Sequence, residues 1–203
     1  VKEFEFKNVD LLYPDIDQVF FGEFAPCGYA YIFPLSKSRA NVGVASISDK
    51  MPLDKKFEEF LEVRSVKKQL RNAEIVSDKS GYAPIDSPSI RWQSGNIFFV
   101  GDAANHNIKP FVEGIIPSVV CGYHLGNSLP LSDVEYRKLV NDRLGGLLEE
   151  SERIKREIIS IQNLPKDIRD MAMLAIFSGS ITHLGEIKNR DVKGLQELCL
   201  SKK

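Results

Sequence analysis

The hydrophobic period of this chain changes along its length, and that change limits the folds open to it. Up to about residue 47, apolar and polar side chains alternate in short runs, at 3–9, 18–24, 29–34 and 39–47. These runs are rich in β-branched and aromatic residues and are separated by Pro, Gly, Asn or Asp, as strands with one buried face should be. Lys37-Ser38 reads as a turn, so residues 29–47 predict an antiparallel hairpin. From 53 to 71 the period lengthens. Phe57, Phe60, Leu61 and Arg64 fall at helical spacing among charges, which predicts an amphipathic helix. Strand-like runs return at 73–78, 82–85 and 97–100. The last, Ile97-Phe98-Phe99-Val100, is apolar at consecutive positions, the pattern of a strand buried on both faces.

Beyond that point the chain reads as helix. Residues 113–129 form one candidate, with Pro117 tolerated in its first turn. Ser132-Asp133-Val134-Glu135 has the form of a capping box. After it Leu139, Val140, Leu144, Leu147, Leu148, Ile154, Ile158 and Ile161 trace one stripe up to Pro165. The expected class is α+β, divided into a sheet region with one amphipathic helix (1–95), a strand-loop-helix segment (96–130) and a helical region (131–203).

Composition excludes several functions. Lys and Arg number 27 against 28 Asp and Glu, a net charge of −1, so no global field attracts a polyanion and no nucleic-acid partner is expected. Cys27, Cys121 and Cys199 are odd in number and far apart, which suits reduced thiols in a cytosol. No apolar run approaches the length needed to span a bilayer. The expected location is cytoplasmic. Lys67, Lys68 and Arg71 in 66–71 read first as a solvated helix end and second as a contact for anionic headgroups at a membrane surface. His106, Cys121 and His124 lack a second pair at ligand spacing, so no metal site is expected.

The segment that carries chemistry runs from Gly95 to Ile115. An apolar strand ends in Gly101-Asp102-Ala103-Ala104, and a short connection through Pro110 leads into the helix that begins near Glu113. Small residues after a strand admit a bulky ligand close to the backbone. A carboxylate at a strand's end accepts hydrogen bonds from ligand hydroxyls. The helix start offers unpaired N–H groups and a positive dipole end to the same ligand.

This segment resembles the second flavin-binding motif of the p-hydroxybenzoate hydroxylase-like FAD oxidoreductases, and within them the geranylgeranyl reductase family. The resemblance implies Gly101, Asp102, Ala103 and Ala104 on the ribityl and pyrophosphate side of FAD, and Pro110, Glu113, Gly114 and Ile115 beside the isoalloxazine. A second stretch, Gly28-Tyr29-Ala30-Tyr31-Ile32-Phe33-Pro34 followed by Ala40-Asn41-Val42-Gly43-Val44, is similar to the reductases' Tyr-x-Trp-x-Phe-Pro hairpin ending in Val-Gly. It implies that Tyr29, Tyr31, Phe33, Pro34 and Gly43 line a substrate cavity. The unadorned reading of Tyr29, Tyr31 and Phe33 is a sheet face packed on helices. The likeness spans residues 26–129, about half the chain.

Departures from the family pattern are Tyr31 for Trp, Ala45 for a second Gly, Val112 where Gly is common, and Asn105-His106 after the Ala-Ala. No two glycines are two positions apart, so the Gly-x-Gly-x-x-Gly fingerprint for the adenylate half of FAD is missing. The expectation is a carboxyl-terminal part of a flavoprotein, inactive alone, whose N-terminal FAD-binding segment lies elsewhere. By the resemblance, 1–95 is a substrate region and 96–130 is part of an FAD-binding α/β domain. The reaction implied is reduction of C=C bonds in an isoprenoid lipid or polyprenyl diphosphate, with an unknown electron donor. Tyr29 and Tyr31 are candidate proton donors. A flavin monooxygenase or halogenase of the same superfamily, and a lipid-binding module without catalysis, are the alternatives.

Overall fold

The computed structural model describes residues 1–47, 52–87 and 92–177. It divides into two compact units: Val1–Tyr82 with the residues from Ile158 onward, and Ala83–Glu157. The class is α+β, as the two hydrophobic periods predict.

In the first unit five strands form one antiparallel sheet: β1 (Lys2–Lys7), β2 (Gln18–Phe20), β3 (Gly28–Ser36), β4 (Arg39–Ser46) and β5 (Glu74–Asp78), in the order β2-β3-β4-β1-β5. The predicted hairpin is β3–β4, with Tyr31 opposite Gly43. Alternation sends Phe6, Ala30, Ile32, Ala40, Val42 and Val44 to one face, where they form the core with Phe57, Phe60 and Val66. Aromatic contacts fasten this layer, with Phe4–Phe57 at 5.1 Å and Phe20–Phe60 at 5.2 Å between ring centroids.

The single helix expected over 53–71 is two: α1 (Leu53–Leu61) and α2 (Arg64–Gln69), separated by an extended Val63. The break re-aims the chain so that Val66 and Gln69 both become buried. Gln69 is then fully engaged. Its side-chain oxygen accepts from Leu12 N (2.9 Å) and Gln18 Nε2 (3.0 Å), and its amide donates to Gln18 Oε1 and Ser65 O. A continuous helix would forfeit these bonds to the 10–18 connection. α5 (Lys166–Phe177) also belongs to this unit, and its Phe177 packs on Phe21 and Tyr29.

In the second unit a two-stranded antiparallel ladder, β6 (Gln93–Ser94) with β7 (Ile97–Phe98), precedes a 3-10 turn at Gly101–Ala104 and helix α3 (Ile115–Ser128). This corrects two expectations. The run 97–100 is not a strand buried on both faces: β7 has one neighbour, and Ile97 is 64% exposed. The run 82–85 is not a strand, and Tyr82 is fully exposed. Unbroken apolarity has another cause here, since Phe98, Phe99 and Val100 pack against a helix-built core. That helix is α4 (Asp133–Ser160), whose Tyr136, Val140, Leu144 and Leu148 face Trp92, Ala104 and Cys121. The capping box forms as predicted: Ser132 N and Oγ both donate to Glu135 Oε2, and Glu135 N donates to Ser132 Oγ. No helix among the described residues is long and apolar enough to cross a membrane.

Candidate functional site

The second unit brings the turn Gly101–Ala104 and the start of α3 into direct contact. Gly101 has φ +57, and a Cβ there would overlap Ser118 on the first turn of α3. Its smallness therefore makes room for helix packing. Ser118 Oγ in turn donates to Gly114 O at 2.5 Å. Gly114 lies against Asp102, where a Cβ would overlap Asp102 Oδ1. Asp102 and Ala103 are exposed, while Gly101 and Ala104 are buried. Asp102 Oδ1 receives only a long hydrogen bond, from Asn107 Nδ2 at 3.5 Å, so the carboxylate retains accepting capacity.

The helix start differs from the expectation of open N–H groups. Glu113 Oε1 accepts from Ile115 N (2.7 Å) and Ile116 N (3.0 Å), Pro117 has no N–H, and Ser118 N donates to Gly114 O. The first turn of α3 is thus satisfied from within the chain. Any group using this helix end must displace the Glu113 carboxylate.

The loop carrying Pro110 is clamped at several points. Ile108 and Glu113 form a reciprocal backbone bridge, and Asn107 Nδ2 donates to Pro84 O at 2.5 Å. Lys109, 2% exposed, meets Glu152 Oε1 at 2.9 Å, and Glu152 also binds Lys155 and Ser87. Burial pushes the Glu152 carboxyl up, but the hydrogen bonds from Lys109 and Lys155 outweigh it and hold it below the usual range. Val112 has φ +56, a conformation a β-branched side chain resists, at the position where the resembling family favours glycine.

His106 is buried edge-on to Trp92 (ring centroids 4.6 Å), with Nδ1 3.7 Å from Cys121 Sγ. Burial, aided by the charge of Lys109, lowers the His106 pKa to about 4. Burial pushes the Cys121 thiol up to about 11. A neutral imidazole beside a protonated thiol is packing, not an activated nucleophile.

The substrate-side residues lie in the first unit, on the sheet face opposite the α1–α2 core. Tyr31 and Phe33 stack at 4.3 Å with planes 21° apart, and Tyr29 lies 5.9 Å from Tyr31. The Tyr31 ring folds over Gly43, where a Cβ would come within 2.5 Å of Cζ and Oη. Tyr31 OH donates to Glu3 Oε2. Burial first, then that hydrogen bond, raises the Tyr31 pKa well above its ordinary value. Pro34 continues the strand, half-buried, with its side chain on the other face. The structure therefore gathers Tyr29, Tyr31, Phe33 and Gly43 in one unit, and Gly101, Asp102, Gly114 and the Pro110–Ile115 segment in the other. Sequence reading missed Lys109 and Glu152, whose only signal is a lysine inside a motif, 43 residues from its partner. It also missed Glu3, although Glu3 alternates with Phe4 at the very start of β1.

Comparison with known proteins bears on both units. The fold is shared with the crystal structure of a geranylgeranyl bacteriochlorophyll reductase-like protein from Thermoplasma acidophilum, with TM-score 0.67 over 99% of this chain and 51% of that one at 20% identity. Digeranylgeranylglycerophospholipid reductases of Methanococcus aeolicus and Methanocaldococcus jannaschii are each 36% identical, over 59% and 61% of this chain. The aligned stretch amounts to 30% and 32% of their own length, so the match spans about a third of these relatives. Residues 2–82 match the family model of the geranylgeranyl reductase catalytic domain.

Proposed function

We propose that this chain carries the substrate region and part of the flavin site of an FAD-dependent reductase that saturates C=C bonds in the isoprenoid chains of membrane lipids or polyprenyl diphosphates. The observation that carries the reading is the meeting of Asp102 with Gly114, which puts an exposed, under-used carboxylate at the start of α3. Such a carboxylate suits the hydroxyls of a ribityl chain, with Gly101, Ala103 and Ala104 forming the turn beneath it. Pro110, Glu113, Gly114 and Ile115 would border the ring. When bound and reduced, FAD supplies a hydride equivalent, chemistry that no side chain provides.

The chain's own residues supply position and proton control. Tyr29, Tyr31 and Phe33, backed by Gly43, form an aromatic strip suited to an apolar chain that offers few polar handles. The raised pKa of Tyr31 keeps its hydroxyl protonated, and its bond to Glu3 fixes the direction of that proton. Pro34 follows this strip along β3, but its side chain lies on the other face, so it would not line the cavity. The adenylate half of FAD needs a dinucleotide-binding segment that residues 1–203 do not encode, and the substrate implies work beside a membrane.

The test is expression of the complete open reading frame. We expect yellow protein that bleaches on reduction and recolours with a geranylgeranyl lipid, while residues 1–203 alone bind FAD weakly. Colourless complete protein refutes the reading. Oxygen-dependent hydroxylation without alkene reduction moves it to the monooxygenases.

A further inference from the structure

Beside the aliphatic layer of the first unit lies a broad cleft of about 870 Å³, lined by the end of α1, by α2 and the residues just after it, and by Phe6 of β1. Its apolar lining is Phe6, Leu61 and Leu70, and its polar lining is Glu62 with Arg64, Lys67, Lys68 and Arg71. Four cations against one carboxylate is a strong local excess in a chain whose net charge is −1. Glu62 is already matched to Lys67 at 2.6 Å. Arg64, Lys68 and Arg71 are exposed and have no ion-pair partner among the described residues.

The contrast with neighbouring lysines is informative. Lys2 pairs with Asp54, Lys7 with Glu74, Lys56 with Glu59 and Lys79 with Glu5. Lys37 and Lys55 stand without such a partner among the described residues, but singly; in the α2 cleft three of the four cations do so together, and only Lys67 meets a carboxylate.

We propose that this cleft is the face by which the protein docks on the anionic surface of a lipid bilayer. Arg64, Lys68 and Arg71 would meet phosphates in the headgroup layer, and the half-buried Leu61 and Leu70 between them would meet the upper edge of the acyl region. The cleft opens widely to the surface, which suits a sheet of headgroups better than one enclosed anion. Its lining offers leucines and no exposed aromatic ring, so it lacks the stacking platform that single-stranded nucleic acid uses. The inference stands apart from the flavin reading, because all of its residues lie in 6–71.

Vesicle flotation of the complete protein at low salt tests it, using phosphatidylcholine vesicles with and without phosphatidylglycerol. Binding is expected only with phosphatidylglycerol. Each cation removed should weaken it about fivefold. The triple variant R64Q/K68Q/R71Q should therefore bind about a hundredfold more weakly, with an unchanged thermal midpoint. The control K138Q/R143Q/R156Q makes the same charge change on α4 and should bind like the unaltered protein. Equal loss in both triple variants, or none in the first, overturns the proposal. So does displacement from vesicles by millimolar inorganic phosphate, or binding of polyuridylate that the first triple variant abolishes. Flavin content, read on the same samples, should not change in either triple variant.

Discussion

The Lys109–Glu152 pair sets the loop that carries Pro110 and Glu113, and its two members are not equivalent. Lys109 Nζ has Glu152 as its only ion-pair partner among the described residues, at 2.9 Å, and its side chain is 1% exposed. Glu152 by contrast keeps Lys155 Nζ at 2.9 Å and Ser87 Oγ at 3.0 Å when Lys109 is removed. Breaking a buried pair by deleting one member costs about 3–5 kcal/mol, chiefly because the survivor is left charged and dry. Glu152→Met strands the lysine and should cost about that amount. Lys109→Met leaves a carboxylate that still has two partners, and should cost less, about 1–2 kcal/mol. The double variant strands neither group and should be more stable than Glu152→Met alone. The coupling should be about 2 kcal/mol.

Urea unfolding followed by tryptophan fluorescence measures this directly. Trp92 is the only tryptophan and packs on His106 within the same unit, so its emission reports that unit. Equal losses in the two single variants, or strict additivity in the double variant, would refute the reasoning.

Other outcomes follow from the same geometry. The unfolded chain should bind a proton at His106 near the ordinary 6.5, whereas the folded chain resists until about 4, so protonation favours unfolding. Stability from this group is full above pH 6.5 and falls as pH drops towards 4, by about 3 kcal/mol in total. His106→Gln should flatten the pH 5–6.5 part of the urea midpoint profile, above the range where carboxylates titrate. Val112→Gly should relieve the φ +56 strain and raise stability by about 1 kcal/mol, visible as a higher thermal midpoint. Gly43→Ala should push Tyr31 off its position and weaken its bond to Glu3, so the tyrosine absorbance titration should move down towards ordinary pH. Gly114→Ala should displace Asp102, and flavin content of the complete protein should fall while circular dichroism holds.

Much of the fold was legible because the hydrophobic period reports burial on one side. The β3–β4 hairpin, the Val140, Leu144 and Leu148 part of the stripe on α4 and the Ser132 capping box follow from local rules that tertiary contacts reinforce, whereas Leu147, expected in the same stripe, is 45% exposed and Ile161 lies in a 3-10 turn beyond the helix. The errors came where a local pattern has two physical causes. Consecutive apolar residues at 97–100 meant a helix-packed connection, not a two-faced strand. Helical spacing through 53–71 concealed the extended Val63, because the bonds that Gln69 gains from residues 12 and 18 are invisible in the period. At the site, small residues were legible but their reason was not. Gly101 makes room for Ser118, and Gly114 for Asp102.

The capping role of Glu113 bears on how the candidate flavin site would work. As an internal cap, the carboxylate holds two N–H groups at 2.7 and 3.0 Å, and a good cap contributes about 1 kcal/mol to a helix. A ligand gains the helix end only by displacing that cap, so its net gain there is the difference between two similar interactions. Asp102 has no such competitor: its carboxylate is exposed and holds one long bond from Asn107. Selective grip should therefore reside in the turn, with the helix end acting as a switch between its own glutamate and the ligand. Glu113→Gln separates the roles. It preserves the acceptor oxygen and removes the negative charge, so flavin content of the complete protein should hold or rise. Loss of flavin equal to that caused by Asp102→Asn would show that Glu113 itself grips the ligand and would refute this division of labour.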